Sequence, residues 1–232
     1  MYPSPQRNEA DVVFEGTSNY ARYALEDPKS KFMYLTIKRC MDFLLALFGL
    51  VLLSPLFLII SILIKLEDPK GSVFFYQTRI GKNERPFRMY KFRSMVSNAE
   101  ELLDKLIEQN EISGAMFKMK EDPRVTKIGK FIRKTSIDEL PQLWNVVRGE
   151  MSLVGPRPAL PREVMQYSRY DKLRLKVSPG CTGLWQVSGR NNLSFQEMLA
   201  LDLEYIERRG IWLDVKVMFR TVKIMIFPNS AY

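Results

Sequence analysis

The sequence predicts an α-rich α+β chain: a re-entrant membrane helix hairpin joined to a small cytoplasmic domain with interfacial amphipathic helices and few short strands. Three observations predict it. Phe43 to Ile64 runs 22 residues without a charge but is interrupted near its centre by Ser54-Pro55. The S-x-x-E pattern of a helix capping box recurs at Ser97, Ser136 and Ser194. Strand patterning is limited to short stretches, Ser72 to Tyr76 and the alternating Phe87 to Met95.

Residues 1–36 are polar, mixed in charge and without the apolar core of a secretory signal, and form an N-terminal extension. Residues 37–66 are the membrane element. A straight helix over the uncharged run would measure about 33 Å, enough to span a bilayer core. Pro55 lacks an N–H and crowds the carbonyl of Val51, so the helix bends and each half covers only ~14–17 Å. Basic residues favour the cytoplasmic side. Here Lys31, Lys38 and Arg39 precede the run while Lys65, Lys70, Arg79 and Lys82 follow it. A hairpin that dips into one leaflet and returns satisfies both observations. A kinked spanning helix and a buried soluble helix stay open as alternatives.

Residues 67–232 form the cytoplasmic domain. Ser72 to Tyr76 reads as a short strand, followed by a turn at Gly81-Lys82-Asn83. Phe87 to Met95 alternates apolar residues with Arg88, Lys91 and Arg93, as a strand with one cationic face does, or a solvated edge. The three capping boxes open three helices, and Pro161 opens a fourth running to about Lys176. In Ile211 to Phe227, Lys216, Arg220 and Lys223 fall at i, i+4 and i+7 beside a wide apolar face with Trp212. That pattern suits a helix in the headgroup region, and equally one packed on a core.

Composition removes whole classes of chemistry. The 232 residues contain no histidine, which excludes a Ser-His-Asp site and histidine-ligated metals. Cys40 and Cys181 are too few for a structural zinc site or a disulfide framework. The net charge of +9 favours anionic partners: phosphates, nucleic acid or an anionic membrane. Chemistry therefore rests on carboxylates, amines, guanidinium groups, hydroxyls or a hard cation.

Asp138-Glu139 is the leading candidate. Behind a Ser136 cap both carboxylates would occupy a first helical turn, where free N–H groups favour negative charge and would also receive a phosphoryl group. Adjacent carboxylates can divide labour between nucleophile or metal ligand and base. The bland alternative is that Glu139 merely completes the capping box. Gly155-Pro156-Arg157-Pro158 is a stiff loop presenting one arginine, either toward a phosphate or as a structural turn. Ser188-Gly189-Arg190-Asn191-Asn192 has a similar composition.

Six segments occur in order: Lys38-Arg39 before the run broken at Ser54-Pro55; Tyr90 to Met95; Asp122-Pro123-Arg124-Val125-Thr126; Ser136 to Gln142; Gly149 to Pro158; and Pro179 to Arg190. Together they resemble the monotopic phosphoglycosyl transferases, the bacterial sugar transferase family, of the undecaprenyl-phosphate hexose-1-phosphate transferase type. The resemblance covers about residues 34–227. It implies a re-entrant hairpin, a location on the cytoplasmic face of the inner membrane, Mg²⁺ and a two-step transfer. A phosphosugar would pass from a UDP-sugar to undecaprenyl phosphate with release of UMP, the first membrane step of exopolysaccharide or capsule synthesis.

By that resemblance Asp138 is the nucleophile and a Mg²⁺ ligand, and Glu139 its partner in proton transfer. Arg157, between Pro156 and Pro158, belongs to the nucleotide site. Lys91, Arg93, Arg190 and Asp202 match positions of the substrate site. Expected partners are the UDP-sugar, undecaprenyl phosphate, membrane lipid and a second copy of the chain, but not nucleic acid. Cys181 stands where relatives are expected to carry an aliphatic residue. The stretch from Asn110 to Lys130 resembles the hexose-transferring branch and leans toward glucose or galactose. The additional N-terminal helices of larger relatives are not expected here. The competing reading is a non-catalytic basic protein that binds a membrane surface.

Overall fold

The structure, a computed structural model, describes residues 32–99, 101–102, 122–189 and 193–226. The expected extension up to residue 31, Glu100 of the first capping box, Arg190 to Asn192 and most of the stretch from Asn110 to Lys130 lie outside the described residues. Contacts divide the chain into two compact units: Met1–Leu45, Thr78–Phe87 and Val146–Tyr232 form the first, Ala46–Gln77 and Arg88–Asn145 the second.

The apolar run folds as two helices, α1 (Phe32–Leu52) and α2 (Ser54–Glu67), bent by 58° at their junction. Pro55 stands in the first turn of α2, where its missing N–H costs nothing. Ser54 Oγ donates to Val51 O at 2.8 Å and satisfies the carbonyl that Pro55 leaves open. No single described helix is long and apolar enough to cross a membrane; the bent pair meets that test only together. Leu44, Phe48, Val51, Leu52, Leu58, Ile59, Ile62 and Leu66 are exposed along it.

The first arm begins at Phe32 and runs 21 residues, so it extends beyond the uncharged run and takes in Lys38, Arg39 and Asp42. Lys38 pairs with Asp42 one turn on at 3.8 Å, and both are buried. These charges do not mark where the helix begins.

In the second unit, Ile60 and Ile64 of α2 pack with Phe92 and with Ile132 of α3 (Lys127–Lys134). Phe92 stacks on Phe74 at 5.3 Å and meets Phe57 at 5.0 Å. Glu67, ending α2, accepts from Lys127 N at 2.6 Å and Ile128 N at 2.9 Å, and Thr126 accepts from Gly129 N, so α3 is capped twice. Gly129 is required: a Cβ there would lie 1.9 Å from Ser94 O. α3 leads through a 3₁₀ turn (Ile137–Glu139) to α4 (Gln142–Arg148).

The strands β1 (Phe74–Ile80) and β2 (Pro86–Phe92) pair, and their short connection obliges an antiparallel arrangement. β1 is offset from the expected 72–76. β2 stops at Phe92, and the next side chain, Arg93, fills the space over Gly71, whose added Cβ would fall 0.9 Å from its Nη1.

The first unit is organised around β3 (Ser152–Val154) and β4 (Gly180–Thr182), a parallel pair with Ser152 opposite Gly180 and Val154 opposite Thr182. Its core joins Val154 to Leu199, Leu203, Tyr205 and Ile206 of α6 (Phe195–Arg208) and Val217 of α7 (Ile211–Ile226). Asp214, fully buried, accepts from Lys38 Nζ at 3.0 Å, Tyr34 Oη at 3.0 Å and Tyr205 Oη at 2.7 Å. Arg39 donates to Val146 O at 2.6 Å and Val147 O at 2.8 Å near the end of α4.

Of the expected capping boxes, that at Ser194 forms, with Glu197 accepting from Ser194 N at 2.7 Å. That at Ser136 does not. Ser136 is left-handed at φ 57°, and Pro141, unable to donate and crowding the carbonyl of Ile137, reduces the segment to a 3₁₀ turn. The helix expected from Pro161 to Lys176 is two pieces, α5 (Pro161–Val164) and a 3₁₀ turn (Asp171–Lys176). Ser168 and Asp171 exchange side-chain and backbone bonds at 2.8 and 3.2 Å, which competes with helical continuation. α7 buries Asp214 and Val217 while exposing Trp212, Phe219 and Val222 beside Lys216, Arg220 and Lys223.

Candidate active site

The second unit gathers three of the expected residues. The 3₁₀ turn holds Asp138 and Glu139 in succession, and β2 carries Lys91 toward them. Lys91 Nζ donates to Glu139 Oε1 at 2.6 Å and lies 4.0 Å from Asp138 Oδ2. Asp138 is buried, whereas the Glu139 side chain is 44% exposed. The two neighbours thus have different surroundings despite identical chemistry.

Burial raises the Asp138 carboxyl to about 6; Lys91 pulls it down, Glu139 pushes it further up and Arg133 lowers it. The group is ionised above that value, sheltered from water and faced by Lys91. Those are the conditions for a carboxylate nucleophile or a hard-cation ligand. Local folding explains the arrangement. The left-handed Ser136 and the 3₁₀ turn before Pro141 hold Asp138 in a buried position.

Arg93 is buried and committed to the loop after α2, donating to Asp68 O at 3.0 Å with Asp68 Oδ2 at 3.6 Å. Asp68 also accepts from Ser97 N at 2.9 Å.

The first unit holds Arg157 in a rigid frame. Pro156 O accepts from Gly180 N at 2.8 Å, and Pro158 O accepts from Arg79 Nη1 at 3.1 Å. Arg157 Nη1 lies 3.2 Å from Glu163 Oε2, with its side chain about one-third exposed. Burial pushes the Glu163 carboxyl up, but Arg157 and the Leu160 N–H outweigh it and hold the group below its ordinary value.

Asp202, expected at the substrate site, is fully buried on α6 and grips Arg174. Arg174 in turn donates to Tyr167 Oη at 3.1 Å and Arg157 O at 3.4 Å. Burial raises the Asp202 carboxyl to about 6 even though Arg174 and Arg157 draw it down. Asp202 therefore braces the arginine loop through Arg174. Sequence reading missed Arg174 and Glu163, whose ion pairs join residues from separate local elements and carry no spacing signal. Arg190 lies outside the described residues.

Comparison with known proteins gives the family. The family described as bacterial sugar transferase matches residues 33–228. A galactosyl transferase, CpsE, of Streptococcus agalactiae is 46% identical over 202 residues, covering 87% of this chain and 44% of the relative. An undecaprenyl-phosphate galactose phosphotransferase of Salmonella typhimurium is 40% identical over 200 residues, covering 84% of this chain and 42% of the relative. The chain thus spans less than half the length of these two relatives. The exopolysaccharide production protein ExoY of Sinorhizobium fredii is 40% identical over 199 residues, covering 84% of this chain and 88% of the relative. With most of its length matched by the family and by a relative of comparable size, this chain belongs to the bacterial sugar transferases.

Proposed function

We propose that the protein transfers a phosphosugar from a UDP-sugar to undecaprenyl phosphate through a covalent intermediate on Asp138. The observation that carries this reading is the buried Asp138 carboxyl, raised to about 6, beside the Lys91–Glu139 ion pair. An Asp138 carboxylate oxygen attacks the sugar-bearing phosphorus. The new bond is O–P, the diphosphate bridge breaks, and its oxygen leaves with UMP. An oxygen of the acceptor phosphate then attacks the same phosphorus and frees Asp138. Glu139 takes the proton from the acceptor, and Lys91 offsets the negative charge of both substrates. Arg157 serves the nucleotide, as the family resemblance implies. Galactose, which the names of the Streptococcus agalactiae and Salmonella typhimurium relatives carry, is the favoured sugar among hexoses.

Among the described residues no three Asp, Glu, Cys or His side chains converge as a metal cage. Magnesium in phosphoryl-transfer sites takes only one or two carboxylates and completes its shell with substrate phosphates and water. The hard oxygens of Asp138 and Glu139 fit that donor set, with Asp138 as the ligand. When bound, Mg²⁺ would neutralise charge building on the diphosphate.

For membrane placement we read α1 and α2 as a re-entrant hairpin entering one leaflet from the cytoplasmic face of the inner membrane. The 58° bend, the Ser54 bond to Val51 O and the exposed apolar side chains support it. The exposed Trp212 and Phe219 of α7, interleaved with lysine and arginine, suit the headgroup region.

The test is UMP release from UDP-galactose with Mg²⁺ by the purified full chain. Wild type is expected to release UMP and Asp138→Asn to lose at least ~10³-fold, the scale of removing a nucleophile. Equal release by both would refute Asp138 as nucleophile. Release by neither, with membrane binding intact, would favour the non-catalytic surface-binding reading.

A further inference from the structure

The first unit contains a cavity of about 240 Å³ that the proposed chemistry does not use. It opens among the start of α1, the β1–β2 turn, β3, the segment before β4 and the end of α6. Five cations line it, Lys38, Arg39, Lys82, Lys176 and Arg209, against one acid, Asp42. Two of the cations are committed: Lys38 to Asp214 and Asp42, and Arg39 to the carbonyls of Val146 and Val147. Lys82, Lys176 and Arg209 have no ion-pair partner among the described residues.

Arg209 is the most informative of the three. Its Nε and Nη1 are buried without a hydrogen-bond partner among the described residues, although the residue as a whole is only half-buried. A buried guanidinium nitrogen without an acceptor is costly, and an arginine on the cavity wall brings a charge that favours phosphate oxygens. The surroundings add a second clue. Leu35 lines the cavity, and the same first turns of α1 expose Phe32, Met33 and Ile37. A cationic hollow beside an exposed apolar helix end suits an anion carried on a lipid. Its volume lies below the usual range of pockets for drug-sized ligands, so it suits a compact anion and is too small for a nucleotide-sugar.

The geometry points to a second anion site in this protein, separate from Asp138, at which Lys82, Lys176 and Arg209 bind a phosphate group. The phosphate is either the headgroup of an anionic phospholipid or the free ion. The site acts without covalent chemistry, and its test is independent of the transferase reading because it uses no sugar donor.

Inorganic phosphate is titrated into the detergent-solubilised full chain while the thermal unfolding midpoint is followed. Separately, the chain is floated on zwitterionic vesicles and on vesicles in which part of the lipid is replaced by phosphatidylglycerol. Wild type is expected to gain ~2–4 °C with phosphate, saturably, or to float several-fold more with phosphatidylglycerol. Both lysines are exposed and unpaired, so Lys82→Gln with Lys176→Gln folds normally and loses at least about fivefold in apparent affinity. Arg209→Gln loses the response more completely. Lys130→Gln with Lys134→Gln removes the same charge from α3 and keeps the response, as does Lys91→Gln. A gain with free phosphate identifies the ion, whereas a response confined to phosphatidylglycerol identifies the headgroup. If the Lys82/Lys176 pair responds like wild type, or the Lys130/Lys134 pair loses as much, no such site exists.

Discussion

Asp138 and Glu139 are adjacent in sequence and chemically alike, yet burial gives them different surroundings. The Asp138 carboxyl, raised to about 6 chiefly by burial, makes two predictions of opposite sense. The proposed attack by Asp138 needs the ionised form, so single-turnover UMP release is expected to fall about tenfold per pH unit below 6, before any acceptor is involved. A profile flat down to pH 4.5 would separate the chemistry from this group. Stability runs the other way. A carboxyl whose folded value is raised stabilises the fold fully below its unfolded value near 4 and loses that contribution as pH rises through about 6. Asp138→Asn is therefore expected to be more stable than wild type at pH 8, by on the order of 1–3 kcal/mol, with the gain vanishing near pH 4. Urea midpoints at the two pH values decide it. Asp202 behaves differently: it is half of a buried ion pair, so Asp202→Ala strands the Arg174 charge and should cost about 3–5 kcal/mol. Arg174→Met in the same chain should recover much of that loss. Unchanged stability with a raised donor KM would instead make Asp202 a substrate contact.

At the scale of the element, the bend between α1 and α2 follows from one residue that sequence alone identifies. Pro55 stands at the start of α2 and Ser54 closes the open carbonyl of Val51. Pro55→Leu restores the missing donor and removes the clash, so the pair should straighten toward one continuous apolar helix. If the hairpin is re-entrant, that variant acquires a span. A cysteine tag at Lys70 should then switch its side of labelling relative to one at Met33. The 3₁₀ turn is a contrary case. The S-x-x-E signature at Ser136 promised a capped helix. Pro141 was visible as a complication, but the left-handed Ser136 ahead of the turn was not. Likewise Ser194 shows the same signature working as expected, because no proline follows within its first turns.

For the whole molecule, the chain exposes apolar side chains along α1 and α2 and on α7 that a protein in water alone would cover. The reading as a one-leaflet protein makes a topological prediction that the fold class by itself does not. Cysteine tags at Met33 and Lys70 in wild type, both exposed positions, should be labelled from the cytoplasmic side only. Labelling of one from each side would replace the hairpin with a kinked span. Within the first unit, Asp214 joins the start of α1 to α6 and α7 through Lys38, Tyr34 and Tyr205. The start of α1 is thus anchored in folded protein by buried charge. Lys38, read from sequence as a flanking charge of the membrane run, has that structural task as well.

The sequence by itself determined the apolar run and its break, the helical character, a short strand ahead of the Gly81 turn, the Asp138-Glu139 pair, the stiff Arg157 loop and the family resemblance. All of these rest on local chemistry: proline geometry, hydrophobic period and contiguous motifs. Only the tertiary structure decided that Lys91 reaches the two carboxylates, that Asp202 holds Arg174 instead of facing solvent, and that Asp138 is buried while Glu139 is not. Those outcomes depend on which distant side chains share a desolvated space. Burial and ion pairing between remote segments set a carboxyl's charge state, and neither leaves a trace in the spacing of residues along the chain.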